Sequence, residues 1–282
     1  MRIGKVCITG SALLVLATAV PVGAATIAQY NFDALTGPTS TTKLAADISG
    51  NSHDLTLGND SGAGSVAVVW PDNPFGETTG MGGNNSVAVK YQTGNMANKG
   101  TINLNNGGSN KFTMEGWVKT TAADAGANIN IMYLQSSAGG NTTVLQLGMQ
   151  SDNKAYGRVF DGSGVSLWST DSLVIGDWNY LALTYDGATA NLYVKNANHP
   201  TLTLAATAAP GVALPTTIDT YAWAATSASS AYGVIFDDIR LSDTALTDAQ
   251  LGYHASFTPV PEPAALSLLG LGALAMIRRR KA

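Results

Sequence analysis

Between residues 26 and 257 the apolar positions fall in short runs at alternating spacing, not at helical spacing. TIAQYNFD (26–33), SVAVVW (65–70), SVAVK (86–90), KFTMEGWVK (111–119), INIMYLQ (129–135), TVLQLGM (143–149), AYGRVF (155–160), WNYLALTY (178–185), ANLYVK (190–195), TLTL (201–204) and YGVIFDDIRL (232–241) are rich in β-branched and aromatic residues. Clusters of Gly, Asn, Asp and Ser separate them. Many short strands between frequent turns predict an all-β fold, a two-sheet jelly-roll sandwich. YDGATANLYV predicts a tight hairpin with Asp186-Gly187 at its turn. The one helical signal is LTDAQLGYH, where Thr247 and Gln250 form a capping box that predicts a short closing helix. Trp117 and Trp178 sit inside these dense strand motifs, which predicts buried core positions. Glu115 alternates with Trp117 and Lys119 in its strand and, as a glutamate near a lysine, is expected on the solvent face. Alternation puts Asp237 in phase with Ile235, Ile239 and Leu241, the inward side of the last strand.

Both ends of the chain leave this pattern. MRIGKVCITGSALLVLATAVPVGAA has Arg2 and Lys5, an apolar run to Val20 and a small-residue close. That is the layout of a secretory signal peptide over 1–25, cleaved after Ala24 or Ala25. At the other end, residues 258–282 contain Pro261-Glu262-Pro263, an uncharged segment from Ala264 to Ile277, and Arg278, Arg279, Arg280 and Lys281. As a helix that segment is ~21 Å long at ~1.5 Å per residue. The hydrocarbon core of a bilayer is ~30 Å thick, so the segment is a short span. The basic block would stay cytoplasmic and the body outside. The residues between, 26–257, read as one domain.

Charge and cysteine narrow the function. The chain has 15 basic and 19 acidic residues. Six basic residues and one acid lie in the end segments, which leaves 9 and 18 in the body, a net charge of −9. Such a domain, with no basic stripe, is a poor nucleic-acid binder and has little attraction to anionic lipid. Cys7 is the only cysteine, so the body has neither disulfide nor thiol nucleophile and must be held by its core.

Two resemblances follow from these residues. Pro-Glu-Pro, apolar run and Arg block in that order resemble the PEP-CTERM sorting signal of Gram-negative bacteria. The resemblance implies export, a transient inner-membrane anchor, and processing by an exosortase that reads Pro261, Glu262, Pro263 and Arg278–Arg280. The body resembles the LamG-like (concanavalin A-like) jelly-roll family. It carries AQYNFD, then ADISGNSHDLTL like that family's Asp-x-Ser-Gly-Asn-x-His loop, FTMEGWVK, GDWNYLALTYDGATANLYVKN, and FDDIRLSDTALTDAQL. VKNANHP lacks the glycine often found after Leu-Tyr-Val, and Pro200 to Ser230 matches poorly.

Catalytic chemistry finds little support. A glycoside hydrolase needs two carboxylates ~5–9.5 Å apart. The body's only glutamates, Glu77 and Glu115, have no acid two or three residues away. Asp237-Asp238 is the one adjacent acid pair, and neighbouring strand residues point to opposite faces. No Gly-x-Ser-x-Gly elbow occurs, and His53, His199 and His254 lack zinc spacing. No catalytic residue is assigned. Trp70, Trp168 and Trp223 lie near loops or strand ends, where each is a sugar platform or is tucked under a loop; the ligand-binding residues remain open. Many LamG-like domains hold a structural calcium where the opening loop meets the last strand, which implies one Ca²⁺ on Asp47, Asn51 and Asp237. The alternative is that Asp47 caps its own turn and Asp237 lies at a bulge. The expected function is a non-catalytic cell-surface or matrix protein that contacts extracellular polysaccharide. Other readings are a structural envelope or biofilm component binding matrix proteins, and a divergent hydrolase.

Overall fold

The computed structural model describes residues 26–30, 43–57, 67–69, 87–90, 96–98, 102, 104, 110–120, 129–136, 143–161, 165–211, 213–214, 218, 220–226 and 233–255. The expected signal peptide, the sorting tail and Trp70 lie outside these. In chain order the strands are β1 (Thr26–Tyr30), β2 (Lys43–Ala45), β3 (Leu55–Leu57), β4 (Ala67–Val69), β5 (Val87–Lys90), β6 (Met96–Asn98), β7 (Phe112–Thr120) and β8 (Ile129–Ser136). They continue with β9 (Thr143–Met149), β10 (Lys154–Asp161), β11 (Val165–Ser172), β12 (Trp178–Tyr185), β13 (Ala190–Lys195), β14 (Thr203–Ala208), β15 (Thr220–Thr226) and β16 (Gly233–Ser242). One helix follows, α1 (Asp248–His254).

The strands form two antiparallel sheets. The eight-stranded sheet runs β14-β13-β12-β7-β16-β5-β4, with β1 also paired to β16; the six-stranded sheet runs β11-β10-β9-β8-β15-β6. A small β2-β3 ribbon stands apart. Alternation along each strand sends one set of side chains between the sheets. From the larger sheet these include Phe112, Met114, Val118, Leu181, Leu183, Ile239 and Leu241; from the smaller, Met132, Leu134, Leu145, Leu147, Ala155, Val159 and Leu167. Gly157 belongs to this inner set. A Cβ there would come within 3.0 Å of a Leu183 methyl, so its bare backbone lets the two sheets close.

The expected turn and cap are present. Gly187 has φ 96°, and the Asp186 N–H donates to the Thr189 carbonyl at 3.2 Å, closing the β12–β13 hairpin. The Gln250 N–H donates to Thr247 Oγ1 at 3.4 Å and the Thr247 N–H to Gln250 Oε1 at 2.9 Å, the reciprocal capping box of α1. Some strands differ from expectation. TLTL at 201–204 is replaced by β14 at 203–208, and β11 and β15 form in stretches too polar or too Ala/Thr-rich to signal themselves.

Burial of the two tryptophans also takes another form. Trp117 and Trp178 are buried, but outside the inter-sheet core. They lie on the outer face of the eight-stranded sheet with Tyr180, Ala182 and Tyr193, covered by Leu246, Leu251 and Ala255 from α1 and its flanks. This second layer explains why every residue of β12 is buried although its side chains alternate between two faces.

Candidate functional site

Three places concentrate chemistry. The first is the opening loop. Asp47 accepts the N–H groups of Gln29 (3.0 Å) and Ser49 (2.9 Å) on Oδ1, and the Ser49 hydroxyl (2.8 Å) and His53 N–H (3.0 Å) on Oδ2. Burial alone would raise its carboxyl pKa; the Ser49 hydroxyl and the Gln29, His53 and Ser49 amides outweigh it and hold the group below its ordinary range. Gly50, at φ 85°, allows the loop to curl back so that these donors converge. Asn51 donates its amide hydrogens to the Thr26 (2.7 Å) and Ile27 (3.0 Å) carbonyls, tying the loop to β1.

Four donors fill the lone-pair directions of Asp47. Asp237 is two strand spacings away, because β1 lies between the loop and β16: Ile48 bonds Gln29, and Gln29 stands opposite Arg240. That is about 10 Å of backbone separation. Asp47 and Asn51 on the opening loop and Asp237 on β16 thus lie on either side of β1.

Asp237 also faces the other way from its expected side. In the register it stands opposite Trp117, while Arg240 stands opposite Glu115 and Leu241 opposite Met114; the ladder slips between Asp237 and Arg240. The slip is a bulge at Asp238, which sits at φ 45°. One extra residue shifts the phase, so Asp237 lies on the Trp117 face while Ile239 and Leu241 enter the inner core. Gly116 on β7 accommodates the bulge: a Cβ there would meet Ile239 Cγ1 at 3.2 Å.

The second place is Glu115, expected in solvent but only 1% exposed. Its carboxylate accepts Arg240 Nε at 2.6 Å and a second guanidinium hydrogen bond from Nη2, together with the Tyr180 hydroxyl. His254 Nδ1 stands 3.1 Å from both oxygens. Burial pushes the Glu115 pKa up, against the opposing pull of Arg240 and Tyr180. Its alternation with Lys119 suggested the solvent face because nothing local reveals that α1 will cover the strand. The arrangement satisfies a buried charge and holds α1 down; it offers no access to a substrate.

The third place is the outer face of the six-stranded sheet. Tyr156 on β10 pairs across to Trp168 on β11, with ring centroids 4.9 Å apart at 51°. Trp168 is 43% exposed, against 6% for Tyr156. Arg158 is opposite Gln146 on β9 and Ser166 on β11, and Gln146 is opposite Tyr133 on β8, so all share this face. The Tyr156 hydroxyl donates to Gln146 Oε1 at 2.8 Å, leaving the Gln146 amide hydrogens for another acceptor. Of the three tryptophans left open from the sequence, Trp168 is therefore the one shown as a partly exposed ring. Trp223 lies on β15, opposite Met132, and Trp70 is outside the described residues. Beside this face, Ser169, Asp171, His199 and Leu204 line a shallow pocket of about 60 Å³. That is far below the ~300 Å³ at which ligand pockets begin. Among the described residues no group of three His, Cys, Asp or Glu side chains is placed to hold a metal.

Two antiparallel sheets, packed face to face with an aromatic pair on one open face, define a lectin-type jelly roll. The family model for the concanavalin A-like lectin/glucanases superfamily (Laminin_G_3) matches residues 90–252, and the chain belongs to that superfamily. The PEP-CTERM protein-sorting motif matches residues 259–281, so the chain carries the address of an exported protein. No curated protein matches the chain. Among solved structures, the receptor-binding domain of botulinum neurotoxin type G is 13% identical at a TM-score of 0.54, covering 81% of this chain and 50% of that one. The serotype D binding domain is 12% identical at 0.51, with 81% and 50% covered. The binding domain of Paraclostridial Mosquitocidal Protein 1 is 12% identical at 0.50, with 81% and 51% covered. At such identities the likeness concerns the fold, and the chain spans about half the length of each.

Proposed function

We propose that this is a non-catalytic carbohydrate-binding protein of the cell surface or extracellular matrix, which takes extracellular polysaccharide on the Trp168 face and is processed at its sorting tail by an exosortase. The observation that carries the reading is Trp168 itself. A large apolar ring left partly in water, seated on Tyr156 and beside amide, hydroxyl and guanidinium groups, suits a pyranose. Such a sugar offers a C–H face to the ring and hydroxyls to the polar rim. The solved structures that share the fold include toxin domains named for receptor binding, which is consistent with a binding role. Glu115, the described glutamate, is sealed under α1 and neutralised by Arg240, a poor arrangement for a general acid.

A glycan array probed with the wild type and with Trp168→Ala tests the reading. The variant should lose at least about tenfold in affinity for any glycan the wild type binds. Its stability should change by only about 1 kcal/mol, as an exposed substitution. Undiminished binding by Trp168→Ala, or an array with no hit, would overturn the proposal.

A further inference from the structure

We infer that the cleft where the end strands of the two sheets meet holds the acetamido group of an N-acetylated sugar whose ring stacks on Trp168; this rests on the glycan-binding reading above and names its ligand class. β11 ends the six-stranded sheet and β14 ends the eight-stranded one. The small pocket between them is lined by Thr170, Asp171, Val194, His199, Leu204 and Ala205, among others. It is too small for a sugar ring, but a side group of a ring seated beside it can enter. Thr170 is two residues beyond Trp168 on β11 and on the same side, so the mouth of the cleft lies about 6.8 Å along the strand from the indole position. A substituent of a pyranose stacked on Trp168 reaches across that gap.

The lining combines two chemistries. Val194, Leu204 and Ala205 contribute alkyl groups, and Leu204 stands exposed. His199 contributes an imidazole of fixed tautomer. Its Nε2 is 3.1 Å from Asp171 Oδ2. A carboxylate only accepts, so Nε2 carries the hydrogen of the neutral ring and Nδ1 keeps its lone pair. An acetamido group complements both: an N–H for Nδ1 and a methyl for the alkyl groups, with its carbonyl left to the water at the mouth. A ring hydroxyl brings no methyl, and an O-acetyl ester brings no N–H. Buried polar groups hold this corner in place. Ser169 Oγ accepts the Ala155 N–H at 2.9 Å and donates to the Asp171 carbonyl at 2.7 Å. Asn196 Oδ1 accepts the N–H groups of Asn198 (3.0 Å) and His199 (2.9 Å), and its own amide donates to the buried Asn179 Oδ1 at 3.0 Å. Asp171 and His199 are thus positioned before a ligand arrives, which lowers the ordering cost of binding.

Isothermal titration with tetra-N-acetylchitotetraose and with cellotetraose tests the inference, because the two share a backbone and differ only in acetamido against hydroxyl. The wild type should bind the acetamido tetramer at least about tenfold more tightly. His199→Gln keeps an amide nitrogen for Asp171 but has no Nδ1 acceptor, and Leu204→Ser removes an alkyl wall. Each should lose most of the preference and leave the affinity for cellotetraose unchanged, whereas a purely structural role would move both affinities together. Melting temperatures verify that both variants fold, and Leu204, standing in water, can be changed without opening the core. A preference retained in both variants would overturn the cleft as its source. Equal affinity for the two tetramers, lost in Trp168→Ala, would overturn the acetamido preference and leave the glycan-binding reading standing. Binding of neither tetramer overturns the preference, and the glycan array decides the broader reading separately.

Discussion

Asp47 shows how one side chain can organise a loop that looks like a metal site. Its four accepted hydrogen bonds come from β1 and from its own turn, and they join residues 18 positions apart. Because its folded pKa lies below the ordinary 3.8, the folded state binds a proton less readily than the unfolded chain. The stabilisation is therefore present above about pH 4 and is lost as pH falls through the folded value. Asp47→Asn, which keeps the shape but not the charge, should be less stable than the wild type at neutral pH, with the gap narrowing as pH falls below about 4. Urea unfolding from pH 2 to 7 measures this. The same melts with Ca²⁺ and with chelator should coincide, since an ion that binds only the native state must raise its stability. A gap that stays constant into acid would remove Asp47 from that role, and a chelator-sensitive melt would place calcium on the loop.

Much of the element level was legible in the sequence. The capping box of α1 and the Asp186-Gly187 turn are local events, and local residues state them. The strands β7, β12, β13 and β16 announce themselves by dense β-branched and aromatic content. What was not legible depends on partners distant in sequence. Glu115 looks solvent-facing until α1, about 130 residues on, covers it. Asp237 looks inward until the bulge at Asp238 shifts the phase, and no residue type there demands that bulge. The Trp168 face was half legible: the residue was a candidate, but its partners Tyr156, Gln146 and Arg158 come together only through sheet pairing. The α1 layer yields its own test. Tyr193 on β13 donates its hydroxyl to Asp248 Oδ1 at 2.8 Å, and burial together with that carboxylate pushes the phenol up to about 12. A raised folded value means the contribution is complete below the ordinary 10.0 and is lost as pH climbs toward 12. Between pH 10 and 12 the wild type should therefore lose stability relative to Tyr193→Phe, measured by urea unfolding. Parallel pH curves for the two would mean that the Tyr193–Asp248 contact does not hold the helix.

For the whole molecule, the exit point of the chain and the aromatic face stand in a fixed relation. The Ala255 carbonyl, just past α1, accepts a hydrogen bond from Lys195 Nζ on β13, so the chain leaves from the outer face of the eight-stranded sheet. The Trp168 face is the outer face of the other sheet, across a sandwich whose sheets pack about 10 Å apart. The apolar run of the tail begins at Ala264, nine residues beyond Ala255, a tether of at most about 32 Å. We predict that, while the tail is held at the envelope, a tether leaving from the α1 side keeps that side nearer the anchor and turns the Trp168 face outward. Cysteine accessibility tests this, because the chain's only cysteine, Cys7, lies in the segment expected to be removed. Thr170 is exposed on β11, two residues from Trp168 and on the same side, and Ala249 is exposed on α1. On intact cells a bulky maleimide–polyethylene glycol reagent should label the Thr170→Cys variant much faster than Ala249→Cys, while both label equally once released and purified. Equal rates on cells would show that the domain tumbles freely of its anchor, and a reversed order would place the aromatic face against the envelope and defeat the outward presentation.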